Sequence, residues 1–476
     1  MEERLLSSRE KARIINLNTN AYGSFAEIGA GQEVAAIFFK AGGASQTVAK
    51  TMSAYDMTFS NAIYGSEESG RYVCEPRVVK MLNHEYKLLE ERLGDTKGKE
   101  KAFFAFAATV TTINFQKTSQ GHGWLGVQFQ LKPETQPNQL IVHLNMHDRD
   151  VLAQQQVVGT VGANMIYACY HHTDDIENFV NSLMDNLSRE NLDIDMVRLQ
   201  GPDFDHVDNR LLSLYLVENG HTDAAMFAPD GHVVQPSDLL YKKNILALRG
   251  RFRPVTNVNM DMLRCGSNDF LAEKDVDPNK VVTIAELTLN DLGFQSGDVD
   301  KQDFLDRVDI LSSLGVYVMI SNYQEYYKLV SYFSQQTKEK IGIVLGVYNL
   351  ESIFDEKYYE KLKGGILESF STLFSRNVKL YVYPALRQDS PGDLYTCINF
   401  RLPHHLEDLY EYLIANQKID DITDFDYSNL NIFSDKVLEM IRLGKGGWER
   451  LVPEKVASAI KEKKLFGYKP AATVTP

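Results

Sequence analysis

Two rhythms of apolar and polar positions divide the chain. Up to about residue 180, helical periodicities mix with strand-like runs joined by polar turns, FFAFAATVTTINF (103–115), GWLGVQF (123–129) and QLIVHLNM (139–146), which predicts an α+β region. From about residue 192, short apolar runs alternate with helical stretches, the pattern that yields parallel strands linked by crossover helices. Strands are expected over 193–199, 223–228, 244–250, 281–287, 316–322, 340–347 and 378–384. The intervening helices are expected over 209–220, 258–271, 302–315, 323–336 and 365–377. This predicts an α/β fold, a mostly parallel, Rossmann-like sheet with crossover helices, with a barrel as the alternative. Beyond residue 400, LPHHLEDLYEYLIANQ, FSDKVLEMIRLG and PEKVASAIKEKKLFG are helical in pattern, and KPAATVTP reads as a frayed tail. The expected divisions are an α+β domain over 1–180, the α/β domain over 190–400 and a helical appendage over 401–476.

Composition narrows the partners. With 476 residues, 44% of them apolar and 24% charged, the chain has the capacity for two or three globular domains. The 50 Lys and Arg against 64 Asp and Glu give a net charge of −14, a field that repels phosphate backbones, so no nucleic-acid partner is expected. No apolar run approaches the length of a membrane span, and MEERLLSSREKARIINLN is charged where a secretory signal needs an apolar core. A cytoplasmic protein without a membrane partner is the expectation, with homo-oligomerisation left open. Cys74, Cys169, Cys265 and Cys397 form no CxxC pair and read as core thiols.

In parallel-sheet architectures ligands bind beyond the carboxyl ends of the strands. The loops there read GPDFDHVDNR (201–210), PDGH (229–232), RGRFRPVTNVN (249–259), TLND (288–291), SNYQEY (321–326), YNLE (348–351) and PALRQDSPGD (384–393). In ILALRGRFRPVTNVNMDML, Gly250 allows a tight turn after a strand, while Arg249, Arg251 and Arg253 set three cations at a helix N-terminus, an arrangement suited to phosphate. The run Gly250, Phe252, Pro254, Thr256, Asn257 and Asn259 resembles the G-x-F-x-P-x-[HT]-x-x-H signature of nucleotidyltransferases, most closely nicotinamide- or nicotinate-mononucleotide adenylyltransferases of NAD biosynthesis. The resemblance implies that this loop holds ATP with Mg²⁺ and that AMP passes to a pyridine mononucleotide. In that family the last His of the motif stabilises the charge of the departing pyrophosphate. Here that position is Asn259, which can donate a hydrogen bond but carries no charge. Arg251, Arg253 or His206 would have to supply the cation.

Other constellations keep other readings open. Asp203, Asp205, His206 and Asp208 could hold a divalent metal, as in a metal-dependent hydrolase or lyase, or Asp208 could simply cap a helix. In YGSFAEIGAGQEVAAIFFKAGGASQTVAKTMSAYD, Gly29, Gly31, Gly42 and Gly43 interrupt helical patterns, with Glu27, Gln32, Glu33, Lys50, Tyr55 and Asp56 between them. GAGQEV only partly resembles a dinucleotide fingerprint, because no strand is expected before it and its glycine spacing is incomplete. His122 beside Trp124 reads as an ordinary histidine in a turn between strands, and GKGGWER (444–450) as an interhelical turn. A non-catalytic nucleotide-binding or assembly protein stands beside the enzyme readings.

Overall fold

The computed structural model describes residues 4–30, 32–293, 299–387, 390 and 392–470. Gly31, the end of the tail from 471, and Gln388, Asp389 and Pro391 of the loop 384–393 lie outside the described residues. The chain divides into two compact units, Met1–Ala225 and Met226–Pro476.

The first unit is built on a six-stranded sheet in the order β2-β1-β3-β4-β5-β6. Its strands are β1 (Ala21–Gly29), β2 (Val48–Ala54), β3 (Ala102–Thr111), β4 (Gly121–Phe129), β5 (Asn138–Met146) and β6 (Leu192–Gln200). Strand β1 pairs parallel with β2 and β3, whereas β3 to β6 run antiparallel. The helices are α1 (Ser8–Leu17), α2 (Glu33–Ala41), α3 (Met57–Tyr64), α4 (Glu75–Leu93), α5 (Val151–His171), α6 (Ile176–Ser182) and α7 (Asn209–Glu218). Side chains alternate across a strand, so Phe104, Phe106 and Val110 enter a core with Val34 and Phe38 of α2 and Val158 and Val161 of α5. The alternate positions face α4, where a Cβ on Gly126 would come within 2.6 Å of Leu82. Aspartates start several of these helices: Asp56, Asp150 and Asp175 each accept the backbone N–H three residues on.

The strand expected over 193–199 is β6. It pairs antiparallel at the edge of this first sheet and does not open the parallel one. An apolar run cannot reveal its pairing partner, because antiparallel and parallel neighbours bury it equally. The strand thought missing before GAGQEV also exists as β1. Its small residues show no alternation because eight of nine positions are buried on one face or the other.

The second unit carries an eight-stranded sheet in the order β16-β13-β12-β9-β10-β11-β7-β8. Its strands are β7 (Ala224–Phe227), β8 (Val233–Val234), β9 (Asn244–Arg249), β10 (Val281–Thr288), β11 (Tyr317–Ser321), β12 (Ile341–Gly346), β13 (Val378–Tyr383) and β16 (Ile419–Asp421); β14 (Ala385–Leu386) and β15 (Leu394–Tyr395) form a separate ribbon. Strands β9 to β13 and β16 are mutually parallel. The chain moves outward from β9 through β10 to β11, then returns past β9 to β12 and β13. With right-handed crossovers, the helices on the two legs must lie on opposite faces, which is the doubly wound arrangement rather than a barrel. The helices are α8 (Pro236–Leu240), α9 (Asn257–Leu271), α10 (Lys301–Ser313), α11 (Tyr326–Gln336), α12 (Asn349–Ile353), α13 (Gly365–Leu373), α14 (His404–Ala415), α15 (Ser434–Leu443) and α16 (Glu454–Lys463). The segment from 401 belongs to this unit and supplies the edge strand β16, so it is more than an appendage. All four cysteines are buried thiols outside any disulfide. Among the described residues, no helix is long and apolar enough to cross a membrane.

Candidate functional site

The strand order of the second sheet reverses between β9 and β12, and open parallel sheets take their ligands in the crevice beyond such a reversal. A cavity of about 420 Å³ lies there. It is walled by Arg249 after β9, by Thr288, Asn290 and Asp291 after β10, by Gln324, Glu325 and Tyr326 after β11, and by Asn349 and Ser352 of α12 with Tyr358 and Tyr359 beyond. The loops 288–291, 321–326 and 348–351 expected beyond strand ends therefore meet. No motif marks Asn290, Asp291 or Asn349 as wall residues, and only their position after parallel strands could have pointed to them.

The three arginines do not converge. Arg249 donates from Nε and Nη2 to the two carboxylate oxygens of Glu286 at 2.8 and 2.9 Å, and from Nη1 to the Gln324 carbonyl at 2.8 Å. Its guanidinium lies 4.5 Å from the Tyr326 ring centroid. Burial opposes the charge on Arg249, and the wholly buried Glu286 carboxylate more than offsets it, holding the arginine firmly ionised. Arg253 donates from Nε to Asp303 Oδ1 at 2.6 Å, and Asp303 also takes the buried Arg307. Arg251 is different. Its side chain is 63% exposed, with Nε 3.6 Å from Asp291 and Nη1 3.7 Å from Asp435, so charge rather than hydrogen bonding holds it.

The remaining motif residues build the turn. Phe252 is buried with φ +48°, and its ring passes so close to Gly250 that a Cβ there would lie 3.1 Å away. Pro254 is buried as well. Thr256 and Asn259 form a capping box at the start of α9: Thr256 N and Oγ1 both donate to Asn259 Oδ1 at 2.9 Å, and the Asn259 N–H returns to the Thr256 side chain. Asn257 donates its backbone N–H to the Leu451 carbonyl and its Nδ2 to the Arg450 carbonyl, each at 2.9 Å. Two of the helix's first N–H donors, expected at a phosphate, are thus already bonded within the unit.

The metal candidates after β6 have other tasks in the structure. Asp203 accepts from Asn138 Nδ2 at 2.8 Å and returns its own N–H to Asn138 Oδ1, which braces the loop. Asp208 caps α7 and pairs with the Arg210 guanidinium, while Asp205 and His206 are exposed. Among the described residues, no group of three or more His, Cys, Asp or Glu is arranged to hold a metal ion. His206 sits in the first unit, the arginine loop in the second.

At the N-terminal glycine segment, β1 ends at Gly29 and α2 begins at Glu33, and a carboxyl group of the chain itself occupies the helix start. Glu27, 2% exposed, accepts the Val34 N–H at 3.1 Å. Burial pushes its pKa up to about 8, against the backbone N–H groups of Val34 and Ala35, which favour the charged form. A pyrophosphate would have to displace this side chain. Gln32 donates to Ser53 Oγ at 2.7 Å, Lys50 pairs with the buried Glu85, Asp56 caps α3, and Tyr55 is exposed. Gly42 and Gly43, with φ near +80°, form the left-handed turn that ends α2.

The chain matches no protein-family model and no curated protein. Solved structures of competence/damage-inducible proteins are similar to part of it. One from Agrobacterium tumefaciens is 17% identical, covering 35% of this chain and 98% of that one with a TM-score of 0.26. A CinA superfamily protein from Enterobacter cloacae is 9% identical, covering 36% and 95% with a TM-score of 0.26.

Proposed function

We propose that the second unit binds a small-molecule nucleotide in the crevice beyond β9, β10, β11 and β12. The observation that carries this reading is the polar cavity at the reversal of strand order. The resemblance of residues 250–259 to nucleotidyltransferases agrees with it. Arg251 supplies a loosely held cation for phosphate, and Tyr358 offers a ring to a base. Asp291 and Glu325 are oxygen donors of the kind that hold Mg²⁺ together with substrate phosphates, and the bound ion would neutralise phosphate charge.

Adenylyl transfer from ATP to a pyridine mononucleotide is the activity the resemblance implies, and the residues in place favour binding over efficient transfer. Asn259 is neutral and its oxygen faces the helix cap, while Arg249 and Arg253 are committed to Glu286 and Asp303. The test is calorimetric titration with ATP and with nicotinamide mononucleotide, with and without Mg²⁺, alongside a pyrophosphate-release assay. Saturable, Mg²⁺-dependent ATP binding with little release is expected, and Asn259→His should add no turnover. Rapid pyrophosphate release would make the unit a transferase; absence of any nucleotide binding would end the proposal.

A further inference from the structure

A further cavity lies wholly within the second unit and shares no wall residue with the crevice beyond β9 to β12. It encloses about 540 Å³ between α14 and the segment 397–402. Glu407, Tyr410, Glu411 and Ile414 of α14 line it, and their spacing places all four on one face of the helix. Cys397 and Phe400 of the facing segment are buried together with Tyr410 and make the apolar depth of the cavity, while Ile398 stands at its rim with 83% of its surface exposed.

This apolar depth is held in place by the chain itself. Tyr410 donates its hydroxyl to the Cys397 carbonyl at 2.9 Å, and the Cys397 N–H donates to Asp421 Oδ1 at 2.8 Å. The Phe400 ring lies 5.4 Å from that of Tyr410, and Phe354 meets Tyr410 edge-on at 5.4 Å. Burial pushes the Cys397 thiol up, so it stays protonated and offers soft apolar surface rather than a nucleophile. A preformed, mostly apolar hollow of this size with a few polar groups is the usual form of a small-molecule site.

The polar groups at the rim select the ligand. Arg401 donates from Nη1 to the carbonyls of Ile398 and Phe400, each at 3.1 Å, which holds its guanidinium against the segment and leaves further N–H donors for a ligand. On the helix wall, Glu407 is met by His404 Nδ1 at 3.1 Å. Glu411 lies one turn further along α14. Among the described residues neither Arg401 nor Glu411 forms an ion pair, so the cavity offers one available cation and one available carboxylate on its two walls. An apolar acid would meet Arg401 and be repelled by the glutamates, and an apolar amine would leave Arg401 unanswered. A zwitterion with an apolar body satisfies both walls.

We propose that this cavity binds a free α-amino acid with a bulky apolar side chain, the carboxylate on Arg401, the ammonium on Glu411 and the side chain against Phe400 and Tyr410. It is a second ligand site, independent of nucleotide binding in the crevice.

The test is calorimetric titration of the full chain with L-phenylalanine, with phenethylamine, which lacks the carboxylate, and with hydrocinnamate, which lacks the ammonium. Phenylalanine should bind saturably below about 10 mM, and each analogue at least about tenfold more weakly. Arg401 and Glu411 are exposed, so Arg401→Gln and Glu411→Gln should fold as the wild type does, and each should weaken phenylalanine binding about tenfold. Phenethylamine, with no carboxylate to lose, should bind the Arg401→Gln chain no more weakly than the wild type. The proposal is overturned if phenylalanine shows no saturable binding up to about 10 mM, if either analogue binds as tightly as phenylalanine, or if either folded variant binds phenylalanine as the wild type does.

Discussion

The two sheet edges dispose of their charged groups in opposite ways. In the second unit, Arg249 and Arg253 follow a parallel strand, where loops make ligand sites, yet both turn back onto buried carboxylates. In the first unit, Asp195 and His143 are buried and hydrogen-bonded, and their bonds lead to the half-buried His122. A cluster of cations in a loop is thus a weak sign of phosphate binding. What counts is whether each donor already has a partner, because a satisfied buried ion pair resists being broken for a ligand.

The largest expected effect comes from breaking a satisfied pair. Arg249→Met leaves Glu286 buried without its cation and should lower unfolding stability by about 3–5 kcal/mol in denaturant titrations. Unchanged stability with lost nucleotide binding would instead make Arg249 a ligand group and dissolve the contrast.

Glu27 gives the next effect, and its sign depends on pH. Its folded pKa of about 8 lies above its ordinary value, so the folded state holds the proton more tightly than the unfolded chain. That contribution is fully present below the ordinary carboxylate range and is lost as pH rises toward about 8. Glu27→Gln keeps an acceptor for Val34 and should flatten this dependence, melting higher than the wild type at pH above 8 and differing little at acid pH. Parallel melting curves across the range would contradict the burial of a proton there.

Smaller effects test the helix start. Thr256→Ala removes one half of the capping box on α9 and should cost about 1 kcal/mol in denaturant unfolding. Arg251→Ala should change stability by less than about 0.5 kcal/mol, since the side chain is exposed and its ion pairs among the described residues are loose, at 3.6 and 3.7 Å.

Strands β7 and β9 to β13 and helices α9, α10, α11 and α13 were legible because apolar runs and 3.6-residue periods alternate there, whereas β8 and β14 to β16, two or three residues long, leave no such pattern. The crevice was legible as a place, since strand–loop–helix order fixes which loops share an edge. The fate of its arginines was not. Glu286 lies within the apolar run VVTIAEL and Asp303 within a helical stretch, and only strand and helix register brings them to Arg249 and Arg253. The row of hydrogen bonds from Asp195 through His143 to His122, which is the second residue of β4 and not part of a turn, was hidden for the same reason: the three residues belong to separate runs, and the β-bulge at Asp195 leaves no local signature. Strand β1 escaped notice because a strand buried on both faces and rich in Ala, Gly and Ser has no alternation to find.

The most direct test of nucleotide binding by the second unit is calorimetric titration of Mg²⁺-ATP into the wild-type chain and into Arg251→Ala. Saturable binding, about tenfold weaker in the variant while its melting temperature is unchanged, is the expected result. Equal affinities in the two chains, or no binding in either, would contradict it.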